Sequence, residues 1–359
     1  MLSLSSLDTS KAREKIASAI GQQMPVVGEL RTLTKSLKVL ELNSRQCLTV
    51  TPVASDGGAN KIIFEPLNLE ILRVVDSQGK EHILEIIPLS SDPAIYKRIF
   101  NEIDCLRHLM ERLGVEYEDI SDYLPKKDSD PHIYDPKIAV STLREIIEWA
   151  VLLDIAWSET RSQILLLRDG LLKTRKFKRT TIEKLSSSFE QANKENGCML
   201  LGIAKKPKVV SYLSLALVLE KPFNRSFPCF CEVPEAIEHR TYKHASDWLI
   251  GYSFGKLHIA KLTSSVPGLL LPVDVPPWLM RRRKEVLEYL VSTAKVSFPK
   301  IGYPYPLIQA HEHATLGQFE MSFLSDFVVE AVLSKHPKEE KMQILQHIAF
   351  GNAIEVEGF

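Results

Sequence analysis

The succession of apolar patterns predicts an α/β fold: a mixed five-stranded core sheet with flanking helices, an N-terminal helical extension and C-terminal helical and strand additions. Three observations carry this. Across residues 47–87, stretches rich in Val, Ile and Thr alternate apolar with polar positions between turn residues, the pattern of an antiparallel meander. Over residues 141–157, Leu143, Ile146, Ile147, Ala150 and Val151 recur at the spacing of one helix face. Ile164-Leu165-Leu166-Leu167-Arg168-Asp169-Gly170 is a continuous apolar run closed by Gly, which reads as a strand covered on both faces.

In chain order, residues 10–24 and 29–40 carry helical spacing, with Ala12, Ile16, Ala19 and Ile20 on one apolar face. Residues 1–44 are therefore expected to form a helical segment outside the core, serving as a partner or dimer surface. The meander follows, with an alternating stretch over 47–54, Asp56-Gly57-Gly58 as a turn, strands over 61–64, 69–76 and 81–87, and a hairpin turn at Ser77-Gln78-Gly79-Lys80. Residues 95–113 read as one helix. Residues 116–136 are polar, acidic and broken by proline, so an insertion or mobile loop is expected there. After the 141–157 helix and the strand ending at Asp169, a basic segment leads to a helix over 181–193 and a strand over 198–205. Three strands, a helix, a strand, a helix and a strand make the order of a ribonuclease H-like core, and that analogy is one of fold alone. Beyond it lie strand-like pieces over 248–254 and 257–262, a Pro-rich stretch over 266–277 and a basic helix over 277–291. A stiff Gly302-Tyr303-Pro304-Tyr305-Pro306 loop precedes a helix from Leu307. The main body is expected to span 45–335, with 336–359 as a tail.

Composition excludes several classes. With 359 residues, 45% of them hydrophobic, the chain can bury a large core without staples. Forty-five basic and forty-five acidic side chains leave no net charge, so contact with a polyanion must come from local patches. No apolar run reaches the roughly 18 residues of a membrane span, and the first residues lack a signal-peptide layout, so a cytoplasmic location without membrane contact is expected. Cys47, Cys105, Cys198, Cys229 and Cys231 are odd in number without CxxC spacing, which speaks against disulfides and zinc fingers. There is no phosphate-binding GxxxxGK[ST] loop, dinucleotide fingerprint, GxSxG elbow or HExxH helix.

The acids point to metal chemistry. A carboxylate at the end of a central strand emerges at the sheet edge where ligands bind, and isolated burial would be costly without a cation. Asp56, Asp169 and one glutamate of the 141–157 helix are candidate ligands for one or two Mn²⁺ or Mg²⁺ ions. Glu148 is favoured, with Glu145 as the alternative one turn away. His311 is a further ligand or general-base candidate, in competition with His313, which lies about 200° away around a helix. Tyr303 is a candidate to hydrogen-bond a phosphate oxygen. Lys173, Arg175, Lys176, Lys178 and Arg179, interleaved with Phe177, form a basic segment after the Asp169 strand that suits single-stranded DNA. Arg281 and Arg282 offer a second clamp, and Lys205 a third.

These segments resemble the NurA nucleases. The motifs read Ser55-Asp56-Gly57-Gly58, Arg144-Glu145-Ile146-Ile147-Glu148-Trp149-Ala150, Leu165-Leu166-Leu167-Arg168-Asp169-Gly170, Leu201-Gly202-Ile203-Ala204-Lys205 and Tyr303-Pro304-Tyr305-Pro306-Leu307-Ile308-Gln309-Ala310-His311. The last is the most specific, and it selects Tyr303 and His311 over Tyr305 and His313. The resemblance covers about residues 45–330. It implies a Mn²⁺-dependent DNA nuclease with single-strand endonuclease and 5′-to-3′ exonuclease activity. It also implies a homodimer that works with a HerA-type hexameric ATPase in DNA end resection and repair or in antiviral (phage) defence. Two departures stand out: Gly58, where a small hydroxyl residue is common, and the 116–136 insertion, which bears on the substrate channel or a partner contact. Two rival readings are a non-catalytic adaptor that caps or regulates an ATPase ring, and an RNA-directed ribonuclease of the same fold.

Overall fold

The computed structural model describes residues 9–44, 50–64, 67–126, 134–158, 163–205, 208–243, 253–266, 268–295, 297–350 and 355–358. The chain begins with α1 (Thr9–Lys35) and a short β1 (Leu40–Glu41), then lays down β2 (Val50–Phe64), β3 (Leu67–Asp76) and β4 (Glu81–Pro88). Helices α2 (Pro93–Glu102), α3 (Asp104–Leu113), α4 (Tyr117–Ile120) and α5 (Pro136–Trp157) precede β5 (Gln163–Asp169), α6 (Arg179–Asn196) and β6 (Met199–Ile203). Next come α7 (Lys208–Glu220), β7 (Cys229–Glu232), α8 (Glu235–Lys243), β8 (Lys256–Lys261) and β9 (Leu270–Val275). A 3₁₀ turn at Pro277–Arg282 leads to α9 (Arg283–Ala294), α10 (Tyr305–Ala314), α11 (Gln318–Ser334), α12 (Lys338–Phe350) and β10 (Glu355–Gly358).

The strands form one sheet in the order β1-β7-β8-β9-β6-β5-β2-β3-β4, with β10 beside β2. Within it, β6-β5-β2-β3-β4 is the expected five-stranded core. The β2–β3 and β3–β4 pairs are antiparallel, whereas β5 runs parallel to β2 and β6 parallel to β5. This is the ribonuclease H-like arrangement. The C-terminal strands extend it: β9 joins β6 antiparallel, and β8, β7 and β1 continue the sheet.

Helices cover both faces. On one, α3, α5 and α6 pack a core that includes Leu143, Ile147, Trp149 and Phe189 against Val53, Leu72 and Leu166. On the other, α9 and α10 pack Leu287, Leu290, Leu307 and Ala310 against Ala54, Leu165 and Leu167. Sandwiched in this way, β5 buries Ile164 through Leu167, which is why its sequence is apolar without alternation. Local chemistry sets the helix starts: Asp92 and Asp135 each cap a helix whose first residue is Pro, accepting the N–H of Ala94 and Lys137.

Several elements differ from the sequence reading. Asp56-Gly57-Gly58 is no turn; it lies inside the continuous strand β2. The helix expected over 95–113 is two, because Ile103 adopts an extended backbone that closes α2 and opens α3. The two N-terminal helices are one, α1, which runs through Pro25 and is anchored by buried Leu30 and Thr34. The insertion over 116–136 is tied down in its first half, since Tyr117, Ile120 and Leu124 join the main core; residues 127–133 lie outside the described residues. The Pro-rich stretch over 266–277 contains β9. Pro272 is tolerated there because β6 pairs only with Val273 and Asp274. The basic helix begins with the 3₁₀ turn and becomes α-helical only from Arg283. Most of the piece read over 248–254, and Cys47, lie outside the described residues. Cys105, Cys198, Cys229 and Cys231 are buried free thiols. Among the described residues, no helix is long and apolar enough to cross a membrane.

Candidate active site

Strand register brings two of the expected acids together. The parallel pairing of β2 with β5 runs from Val50↔Gln163 to Ser55↔Arg168, so Asp56 and Asp169 take the next position on adjacent strands and share a face. On β6, Ile203 pairs with Asp169, and Lys205 follows two residues later. The Lys205 ammonium contacts Asp169 Oδ2 and lies 3.7 Å from Asp56 Oδ2. From the α10 side, His311 Nδ1 is 2.7 Å from Asp56 Oδ2, and the Tyr303 hydroxyl donates to Asp169 Oδ1 at 3.5 Å. His313 points elsewhere, its Nδ1 3.4 Å from the Asp76 carbonyl oxygen.

The acids of α5 approach from the opposite face. A Cβ at Gly57 would lie 2.5 Å from Glu148 Oε1, so the missing side chain is what lets Glu148 reach β2 beside Asp56. At Gly58 a Cβ would lie 2.2 Å from the Ala314 carbonyl oxygen, so the end of α10 seats directly on the strand. The pair of glycines therefore serves close approach of two helices rather than a turn. Arg144 Nε lies 3.7 Å from Glu148 Oε1. Glu145 is engaged by Arg168 Nη2 at 3.0 Å, and the Arg168 guanidinium lies 4.4 Å over the Trp149 ring.

Burial governs the electrostatics. It pushes the Glu148 carboxyl up to about 8, with Arg144 and Arg168 pulling it back and Asp56 pushing it further. Asp169 is raised by burial and by Asp56, against the pull of Lys205. Burial, then Asp169, raises the Tyr303 phenol, which keeps its proton for donation. Acids in such a cluster ionise together only with a compensating cation. Among the described residues, no three His, Cys, Asp or Glu side chains are grouped closely enough to hold a metal ion. The donor types nevertheless fit Mg²⁺ or Mn²⁺, being carboxylate oxygens and one imidazole. Lys205 marks the point between Asp56 and Asp169 where positive charge is demanded.

A groove of about 650 Å³ opens beside Glu148 and Asp169, and Arg144, Arg168, Arg175, Lys176 and Lys208 line it. Of the expected DNA contacts, Arg175 and Lys176 stand on this wall. Lys173 does not serve as a surface cation: its side chain is 4% exposed and ion-paired with Glu238, with Asp274 Oδ1 3.9 Å away. Phe177 is buried in the core and offers no face to a base. Lys178 donates to the Glu118 carbonyl oxygen at 2.8 Å, and Arg179 pairs with Glu183 at 3.0 Å. Arg281 is exposed, and Arg282 pairs with Glu285 at 2.9 Å. Lys205 is directed into the acid cluster rather than along a clamp. Sequence reasoning missed Arg144 and Lys208. Arg144 was findable, because it stands one helical turn before Glu148; nothing in the sequence singles out Lys208.

Fold and site together define a ribonuclease H-like α/β protein in which aspartates of two adjacent parallel strands meet beside a basic groove. No protein-family profile and no curated protein matches the chain. Among solved structures, the chain is similar to the crystal structure of the NurA nuclease from Sulfolobus solfataricus, at 14% identity, covering 91% of this chain and 98% of that one, with a TM-score of 0.45. It is similar also to NurA bound to dAMP and manganese, at 10% identity over 94% and 100% of the two chains, with a TM-score of 0.45. A further NurA crystal structure aligns at 10% identity over 92% and 99%, with a TM-score of 0.41.

Proposed function

We propose that this chain is a divalent-metal-dependent DNA nuclease, cutting single strands internally and digesting ends 5′ to 3′, in concert with a HerA-type hexameric ATPase during DNA end processing or phage defence. One observation carries the reading. Residues from all five motif segments, Asp56, Glu148, Asp169, Lys205, Tyr303 and His311, converge at one sheet edge although up to 255 positions separate them in the chain. The catalytic body is the segment 45–335, and the exposed first half of α1 is the surface for a second copy or the ATPase.

In this reading, Asp56, Asp169, Glu148 and His311 would hold the ion. When bound, Mn²⁺ or Mg²⁺ supplies an activated water and charge stabilisation at the leaving oxygen. The chain's own groups prepare the site. Tyr303 donates to Asp169 and fixes one oxygen, while His311 orients Asp56 from the other side. Lys205 balances the aspartates and carries a positive charge beside the phosphate path. Arg144, Arg175, Lys176 and Lys208 attract the backbone along the groove.

The adaptor reading has one observation in its favour: Lys205 contacts Asp169 and lies 3.7 Å from Asp56, so the chain itself offsets part of the aspartates' charge. End-labelled single-stranded DNA, duplex DNA and RNA, incubated with Mn²⁺, Mg²⁺ or EDTA and with or without a HerA-type ATPase, separate the readings. Metal-dependent DNA cutting, lost in Asp56→Ala and Asp169→Ala, is the expected result. Wild type inert even with the ATPase, or variants cutting equally well, would leave the adaptor. Preferential cutting of RNA would make it a ribonuclease.

A further inference from the structure

We infer that Tyr123 and Ile138 form a stacking subsite for an unpaired base on the wall of the basic groove, built by the 116–136 insertion and the start of α5. That the ligand is a nucleic acid rests on the nuclease reading above. Among the groove's lining residues, Tyr123 and Ile138 are the exposed large apolar side chains, at 41% and 44%. The same groove is lined by Glu148, Asp169 and the cations Arg144, Arg175, Lys176 and Lys208. A strand whose phosphate reaches the acids therefore passes the aromatic ring.

The ring is held as a platform. The Tyr123 N–H donates to Ser121 Oγ at 3.1 Å, and its neighbours Ile120 and Leu124 are fully buried. Lys176 Nζ sits 5.2 Å from the ring centroid, which places a cation against the aromatic face. Arg144 lines the same groove and its Nε lies 3.7 Å from Glu148 Oε1, which ties the cation beside the ring to the acids. Every base has a π-face, so such a platform accepts a single strand of any sequence. Duplex bases are already stacked, so the subsite discriminates against paired DNA. Phe177, the aromatic that the basic segment itself supplies, is buried; the insertion supplies the ring instead.

The test uses the full chain in EDTA with single-stranded oligonucleotides carrying 2-aminopurine, read by fluorescence and anisotropy, and with the matching duplex. Wild type is expected to bind the single strand and quench the probe. Tyr123→Ala and Ile138→Ala should weaken single-strand affinity, the former by about 5- to 100-fold, the worth of one stacked base. Tyr123→Ala should also abolish the quench, leaving the salt slope and duplex affinity unchanged; Tyr123→Phe should restore both affinity and quench. Equal binding and quench in wild type and Tyr123→Ala, in a protein that cuts DNA once metal is added, would overturn the subsite and leave the nuclease intact. A wild type that neither binds nor cuts single strands would overturn both.

Discussion

Gly57 and Gly58 look alike in the sequence, and the structure gives them different consequences. A methyl at 57 meets the end of the Glu148 side chain, which can swing away, so Gly57→Ala should fold and lose up to about 100-fold in cleavage rate through a misplaced carboxylate. A side chain at 58 meets backbone at Ala314, so Gly58→Ser should cost about 1–3 kcal/mol in a urea titration. Asp274 is a third residue with a readable signature. It is fully buried, accepts the Leu172 N–H at 2.9 Å, and burial raises its carboxyl from 3.8 to about 6, against the pull of Lys173. Between pH of about 4 and about 6 the unfolded chain releases this proton before the folded one, so the group's contribution to stability falls as pH rises, by about 3 kcal/mol in all. Asp274→Asn keeps an acceptor for Leu172 and removes the dependence. Unfolding free energies across that window should move in the variant's favour by that amount.

At the scale of elements, the segment after β5 divides into structural and surface cations that the sequence presents as one run. Lys173 is locked between part-buried Glu238 and fully buried Asp274, so Lys173→Ala removes the cation beside a buried carboxylate and should cost about 3–5 kcal/mol of stability. Arg175→Ala should leave the unfolding midpoint in place and weaken single-strand binding instead. This division is invisible in the sequence, which presents the segment as one basic run. Burial of Lys173 depends on α8 and β9, which lie 60 to 100 positions further along the chain. The helix and strand order of the core was legible because α5, β5 and β6 each carry a strong local period or apolar run. β9 was hidden by Pro272, whose missing N–H is tolerated only through the short pairing with β6.

For the whole molecule, zero net charge means that, on the proposed nuclease reading, affinity for DNA would reside in the basic groove. With about −0.7 per phosphate contact for a single strand, the combined Arg175→Ala and Lys208→Ala variant should lower the magnitude of the log–log salt slope by about 1.4. Association through α1 belongs to the proposed reading. Up to Met24, α1 exposes Ile16, Ile20 and Met24, whereas its buried residues, Leu30 and Thr34, lie nearer its C-terminus. Removing residues 1–24 should leave the thermal midpoint unchanged and abolish dimerisation or ATPase binding in sedimentation; retention of both would end that assignment.

By itself the sequence determined the α/β class and the core strand order, because period and apolar continuity are local properties of the chain; Asp169 closes its strand as read, whereas Asp56 lies inside β2. The sequence also limited the histidine to one of two, since helical geometry separates residues two apart. Tertiary structure alone decided that Glu148 reaches β2 while Glu145 answers Arg168, and that Lys205 lies between the aspartates. It also decided that Lys173 and Phe177 are interior while Tyr123 is not. Those outcomes depend on which distant elements pack against each side chain, and no local pattern encodes that.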